Sequence, residues 1–158
     1  MDWKLEVVVI PVSDVDRAKA FYVDQAGFAL DVDHRDGDVV RVVQVTPPGS
    51  ACSVTFGNGL IDSAPGSVKG LQLVVADVVA ARAELAGRGV DVSPVRHFES
   101  GTMVDGPGGD WNSFVFFADP DGNAWAVQQK PPPGRAVYPP DSGRQLGPDL
   151  RDAGVRER

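Results

Sequence analysis

The chain of 158 residues is long enough for one globular domain, and its 42% hydrophobic content argues against a disordered chain. Its formal charge of −7 argues against nucleic acid as a main partner. No apolar stretch approaches the roughly 20 residues of a membrane span, and no signal-like N-terminus is present, so we expect a cytoplasmic protein without a membrane partner. The single cysteine, Cys52, excludes an intrachain disulfide and a cysteine-based zinc cluster.

The first half of the chain predicts one strand, one helix and three further strands. An apolar run that begins at Val7 predicts the first strand. Asp14 follows it as a helix N-cap, where a carboxylate can accept backbone N–H bonds, and the helix ends near Gly27. Three strand-like segments come next, at about 28–34, 39–46 and 51–57.

The second half repeats this pattern weakly. Residues 70–78 resemble residues 7–15, and Asp77 stands where Asp14 stands in the first copy. The second helix ends at Gly87 or Gly89, and strands are predicted at about 90–97, 112–118 and 124–129. Residues 58–69 join the halves, and the glycine-rich segment 100–110 is predicted to be a loop that can move over a site. The chain is therefore predicted to be α+β, with the pattern βαβββ twice.

A tight turn at Asp119–Asn123 joins the last two predicted strands. Gly122 takes φ > 0 without steric cost, and the aspartates can bond nearby backbone N–H groups. We predict a single domain over residues 1–130, with modules at about 4–57 and 70–129. Residues 131–158 form a Pro- and Gly-rich tail, either flexible or extended across a neighbouring subunit.

These features together resemble the vicinal oxygen chelate superfamily, which includes glyoxalases, bleomycin-resistance proteins and extradiol dioxygenases. The resemblance rests on the doubled layout, on Val12–Ala18 leading to Phe21 and Tyr22, on Gly27–Phe28 and on the terminal turn. It covers roughly residues 4–130. It implies two βαβββ modules whose sheets curve into a cup around a cavity, and it implies a homodimer.

The resemblance also implies where a divalent metal ion would be held. The family's ligand positions fall on Val7, Gly70 and Ala126, with a fourth on the strand of Ser53 and Thr55. Valine, glycine and alanine offer no donor atom, and hydroxyls are weak ligands. We therefore expect no metal and no other cofactor, the alternative being a divalent metal ion held by a displaced ligand set.

The same register predicts which side chains line the cup. Those on the cup side are Val7, Val9, Gln72, Val74, Ala126 and Gln128. Those on the opposite side, beneath the helices, are Leu71, Leu73, Trp125 and Val127. Gln72 and Gln128 either hold a ligand or bond local backbone and water, and Trp111 is either a stacking surface or a rim residue. This lining suits a small apolar or aromatic molecule.

Whether the protein is an enzyme stays open at the level of sequence. His34 and His97 are weak candidates for a general base, the alternative for each being a solvated surface residue. A displaced metal site would use His34, Glu6 or a glutamine and would make the protein a lyase, isomerase or dioxygenase. A one-residue shift that brings Glu6 into the cup would turn Val7 out of it. The first hypothesis is a metal-free binding protein, and a structural role ranks last.

Overall fold

The computed structural model describes residues 1–134, and the first half of this range forms a four-stranded sheet. The elements in chain order are β1 (Val7–Val9), α1 (Val15–Ala20), β2 (Ala29–Asp36), β3 (Val40–Thr46) and β4 (Ser53–Gly57). A π-helical segment, Phe21–Gln25, extends α1. The strand order is β1-β4-β3-β2, in which β1 runs parallel to β4 and the other pairs are antiparallel.

The second half forms a five-stranded sheet. Its elements are β5 (Leu71–Val75), α2 (Val78–Gly87), β6 (Arg96–Glu99), β7 (Thr102–Asp105), β8 (Phe114–Ala118) and β9 (Ala124–Gln129). The order is β5-β9-β8-β6-β7, with β5 parallel to β9. The predicted α+β class is confirmed, and the second module has one strand more after its helix than the predicted βαβββ pattern. The predicted tail lies, from residue 135 onward, outside the described residues.

Two predictions in the second half are wrong. The strand predicted at 90–97 begins only at Arg96, because Pro94 has no N–H to give to a ladder while Val90 and Val92 pack into the core. The loop predicted at 100–110 contains β7, which pairs with β6. Ser100 and Gly101 have φ of 49° and 80°, and this left-handed pair makes the tight turn of a hairpin.

The two predicted helix caps are confirmed and have the same geometry. Asp14 Oδ1 accepts a bond from the backbone N–H of Arg17 at 3.0 Å, and Asp77 Oδ1 accepts one from Ala80 at 2.9 Å. Each carboxylate pairs one of the N–H groups that a helix start leaves unbonded. Within residues 1–134, neither helix is long and apolar enough to cross a membrane.

One hydrophobic core runs through both modules. Alternation along β9 buries Trp125 and Val127, as predicted, while Leu71 and Leu73 are partly buried against the same core. The Tyr22 ring lies 5.5 Å from the Phe56 ring and 6.0 Å from the Trp125 ring, centroid to centroid. The first helix is thereby packed against strands of both sheets.

The turn at Asp119–Asn123 lies at the centre of a buried polar network. Asp119 Oδ1 accepts the backbone N–H groups of residues 121, 122 and 123, at 2.9–3.0 Å. Asp119 Oδ2 accepts the Tyr22 hydroxyl and the Asn123 side-chain amide, each at 2.8 Å. Burial, and then the Asp119 charge, raise the pKa of Tyr22 far above its ordinary value, so its hydroxyl remains a donor.

The same turn joins the two modules. The Asn123 amide donates to the carbonyl of Pro11 at 2.9 Å, and Asn123 Oδ1 accepts the N–H of Val68 at 3.1 Å. The Ser13 backbone N–H donates to Asp121 Oδ2 at 3.1 Å, and Arg17 pairs with the same carboxylate at 3.0 Å. The turn therefore fixes the start of the first helix and the linker before β5 to the last hairpin of the second module.

A second polar cluster holds α1 to the first sheet. Arg41, which is buried, donates from Nε and Nη2 to the two carboxylate oxygens of Asp33, at 3.0 and 3.1 Å. Its Nη1 bonds Asp16 on α1, and Lys19 on the same helix donates to Asp33 at 2.8 Å. The hydrogen bonds from Arg41 and Lys19 hold the pKa of Asp33 well below its usual range.

We predict that Asp119→Ala destabilises the fold by at least about 3 kcal/mol, because it leaves the Tyr22 hydroxyl, one N–H of the Asn123 amide and the turn's backbone N–H groups without their acceptor. Urea unfolding followed by fluorescence measures this loss. Asp91→Ala removes an exposed carboxylate and is the control, with an expected change within about 0.5 kcal/mol. Equal effects of the two substitutions would contradict the role given to Asp119.

We also predict an acid-sensitive contribution from Asp33. Because its pKa is lowered in the folded protein, its stabilising effect is full well above about pH 4, the ordinary value, and is lost as the pH falls below it. Urea unfolding from pH 7 down to pH 2 should show the native protein more stable than Asp33→Asn at neutral pH, with the difference shrinking below about pH 4. Asp91→Asn serves as the control; a difference that grows on acidification would refute the assignment.

Candidate functional site

The second sheet has one face that packs on the core and an opposite face that we call the open face. Residues paired in register across neighbouring strands point to the same side of a sheet. Gln72 is paired with Ala126 and Val74 with Gln128, while β8 places Phe116 opposite Ala126 and Phe114 opposite Gln128. On β5, β8 and β9, the open face therefore presents Gln72, Val74, Phe114, Phe116, Ala126 and Gln128. Four of these six were predicted to line a binding site.

An aromatic shelf, formed by Phe98, Phe114 and Phe116, occupies one side of the open face. The Phe114 and Phe116 rings are stacked at 6.1 Å with an angle of 14° between their planes. Phe98 meets Phe114 edge to face at 5.8 Å, and 51% of Phe98 is exposed. These three rings were not among the predicted site residues. The turn at Asp119–Asn123 could have indicated them, because the register of its hairpin pairs Phe114 with Gln128, which was a predicted site residue.

Two glutamines on the open face form a chain of hydrogen bonds. The Gln72 side-chain amide donates to Oε1 of Gln128. The Gln128 amide in turn donates to the backbone carbonyl of Trp111 at 2.6 Å. Gln128 thus bonds local backbone, and its predicted contact with a ligand stays a prediction. Gln72, at the other end of this series of hydrogen bonds, has an exposed side chain.

Trp111 stands at the base of this chain in an unusual backbone conformation. Its φ is 58°, a left-handed value that costs a bulky residue free energy and persists only where the surroundings enforce it. The next residue supplies that enforcement, since the Asn112 side chain bonds both the N–H and the carbonyl of Phe98, each at 2.9 Å. The Trp111 ring is partly buried. The loop thus holds the Trp111 carbonyl against β9.

Val7 and Val9 lie on the first sheet, paired with Ser53 and Thr55. These two hydroxyls are already engaged, Ser53 with Thr46 at 2.7 Å and Thr55 with Gln44 at 3.4 Å. The two valines thus belong to a different sheet from the four predicted lining residues of the open face.

Two cavities occur near the junction of the modules. One, of about 260 Å³, lies between β1 and β5 and includes Gln72. The other, of about 270 Å³, lies between α2 and β5 and includes Val74. Neither contains a second member of the predicted lining. Joint lining of one cup by residues of both sheets stays a prediction.

The residues at the family's metal positions do not fit a metal ion. Val7, Gly70 and Ala126 present no donor atom there. In the described range of 134 residues, no three His, Cys, Asp or Glu side chains gather closely enough to hold a metal. Glu6 is exposed beside Val7, and alternation in an extended chain directs the two side chains to opposite sides. No catalytic step through a metal is derived from this arrangement.

The two histidines lie on different sheets. His34 is on β2, paired with Val42. His97 is on β6 between Arg96 and Phe98, and Arg96 is paired with Phe114 of the open face, so His97 points to the other side of that sheet. Because a backbone carbonyl can only accept, His97 Nδ1 donates to the carbonyl of Gly106 at 2.9 Å. The candidates for a general base are thus not brought together.

Comparison with solved structures places this geometry among known proteins. The chain is 35% identical to TnmS3, an antibiotic binding protein from Streptomyces sp. CB03234; the match covers 82% of this chain and 98% of that one, with a TM-score of 0.65. It is 36% identical to a glyoxalase/bleomycin resistance protein from the same organism, covering 80% and 100% of the two chains, with a TM-score of 0.62.

A third solved structure, a superfamily member from Sphaerobacter thermophilus DSM 20745, is 27% identical over 82% of this chain and 98% of that one, with a TM-score of 0.65. No curated protein matches the sequence. The family model described as the Glyoxalase/Bleomycin resistance protein/Dioxygenase superfamily matches residues 4–127. The chain therefore belongs to the glyoxalase/bleomycin resistance protein/dioxygenase superfamily, as its resemblance predicted.

Proposed function

We propose that this protein binds a small, largely apolar or aromatic molecule on the open face, without a metal ion. The observation that carries the proposal is the partly exposed aromatic shelf beside a hydrogen-bonded pair of glutamines. Ligand sites are mostly apolar surfaces with a few placed polar groups, and this face has that composition. The similarity to an antibiotic binding protein supports a role in sequestering an antibiotic or a related natural product.

The donor-free positions Val7, Gly70 and Ala126 support metal-free binding over the metal-dependent chemistry of the family's enzymes. Because these three positions carry no donor atom and because His34 and His97 lie on different sheets, we favour a binding protein over a catalyst. The proposal includes a cytoplasmic location, where the free thiol of Cys52 would stay reduced.

We further propose that two copies complete the binding site. A ligand pocket usually buries most of its ligand, which one sheet face cannot do. The N-terminal segment before β1 alternates charged and apolar residues and leaves Trp3 88% and Leu5 74% exposed. Val74 on the open face is 50% exposed. A second copy of the chain would cover such apolar surface and close the cup over the ligand.

The binding proposal predicts the effect of a charge at the centre of the open face. Ala126→Asp places a carboxylate between Gln72 and Phe116, and desolvating it should weaken binding of 2-naphthol at least about tenfold. The probe's fluorescence measures the affinity, with and without EDTA. Ala83→Asp, on the exposed side of α2, is the matched control and should bind like the native protein.

Saturable binding of one probe per chain, unchanged by EDTA, is the expected result. Equal binding by the native protein and Ala126→Asp would remove the open face as the site. A divalent metal whose removal and return abolishes and restores turnover of a substrate would overturn the metal-free proposal.

The dimer proposal has its own test. Leu5→Asp should convert a dimer into a monomer in sedimentation equilibrium, because it puts a charge into the proposed apolar contact. Val39→Asp changes an equally exposed valine in the β2–β3 turn and should leave the dimer intact. A native protein that sediments as a monomer at micromolar concentrations would contradict the proposal.

A further inference from the structure

We infer that Gln72 presents a hydrogen-bond acceptor to the ligand, so that the open face selects aromatic molecules carrying a hydroxyl or N–H donor. This inference rests on the proposed function and adds to it the chemical class of the ligand. It makes Gln72 the residue that decides specificity and Gln128 the residue that positions it.

The Trp111 carbonyl determines which atoms donate and which accept in the hydrogen bonds of the two glutamines. The Trp111 carbonyl can only accept a hydrogen bond, so the nitrogen of the Gln128 amide must face it. The Gln128 oxygen then points to Gln72, and only the Gln72 nitrogen can meet an oxygen. This sequence of donors and acceptors follows from the carbonyl alone, because a carbonyl oxygen has no hydrogen to donate.

The Trp111 loop, whose carbonyl anchors the hydrogen bonds of the two glutamines, is held rigidly. The backbone of the Trp111 loop is tied to β6 through the two bonds between Asn112 and Phe98. A side chain at Gly108 would collide with the Asn112 carbonyl, since a Cβ there would lie 2.1 Å from that oxygen. The loop is therefore closely packed where it supports the carbonyl, and reversing the amides would leave two oxygens facing each other.

The Gln72 side chain, at the other end of these hydrogen bonds, is open to a ligand. Gln72 is exposed, and no residue in the described part of the chain donates to its Oε1 through a bond the structure shows. The bond to Gln128 uses one of the two hydrogens of the Gln72 amide nitrogen and directs it towards β9, while the amide oxygen keeps both lone pairs for a donor on the ligand. A ligand hydroxyl or N–H complements that acceptor, whereas a ligand methyl group does not.

The distance between Gln72 and the aromatic shelf sets the size of the ring system in a ligand that carries such a donor. Gln72 on β5 and Phe116 on β8 flank Ala126 on β9, so they stand two strand spacings apart, about 10 Å. The small Ala126 side chain leaves space between them. A flat bicyclic ring can contact Phe116 and Ala126 and still direct its hydroxyl towards Gln72.

The test compares 2-naphthol with 2-methylnaphthalene, which has nearly the same size and no donor. Fluorescence titration at pH 7 gives both affinities for the native protein, Gln72→Met and Gln128→Leu. We expect Gln72→Met to weaken 2-naphthol about five- to tenfold and to leave 2-methylnaphthalene within about twofold. Gln128→Leu should also reduce the naphthol affinity, because Gln72 then loses its fixed orientation. Gln25→Met, on the π-helical segment, is the control and should change neither affinity.

The outcomes separate this inference from the proposed function. If both probes bind the native protein and Gln72→Met affects them equally, the acceptor role is overturned while the binding site stands. If Gln128→Leu has no effect although Gln72→Met does, the positioning role of Gln128 is overturned. If neither probe binds the native protein, the proposed function fails for aromatic ligands of this size, and the inference fails with it.

Discussion

The buried carboxylate of Asp119 is the constraint on which the rest of this structure depends. It accepts three backbone N–H groups of its own turn and two side-chain donors, from Tyr22 and Asn123. A carboxylate is stable in such a buried place only when its oxygens are fully hydrogen-bonded. Any loosening of the turn would leave these groups unpaired. The carboxylate therefore ties the first helix, the junction between modules and the last hairpin into one arrangement.

The register that this turn fixes determines both the packing of the core and the composition of the proposed binding face. With Ala118 paired to Ala124, alternation places Trp125 and Val127 in the core. It places Ala126 and Gln128 on the opposite side, beside the aromatic shelf. A slip of one residue would exchange these two sets, exposing the core and burying the amides. The same register places Ala126 on the open face, at the position where the family resemblance implies a metal ligand, and an alanine there leaves this part of the face apolar.

Local signals in the sequence were sufficient for the caps, the tight turn and the alternation of β9, because each depends on residues within a few positions of one another. The hairpin of β6 and β7 was missed because Ser100, a residue that rarely adopts positive φ, makes its turn. The bond between Tyr22 and Asp119 and the bond between Gln72 and Gln128 join residues 97 and 56 positions apart. Only the folded chain brings such pairs together, so neither the network nor the direction of the amides was predictable.

The two glutamines divide their tasks according to the bonds that each has left. Gln128 uses its nitrogen on the Trp111 carbonyl and its oxygen on Gln72, so its capacity to select a ligand is small. Gln72 uses only its nitrogen. Affinity on the open face would then come mainly from contact with the phenylalanine rings, which discriminate weakly among flat molecules, while specificity would depend on one acceptor. Such a face tolerates variation in the ring system and rejects a ligand without a donor, because that ligand would leave the Gln72 oxygen desolvated and unpaired.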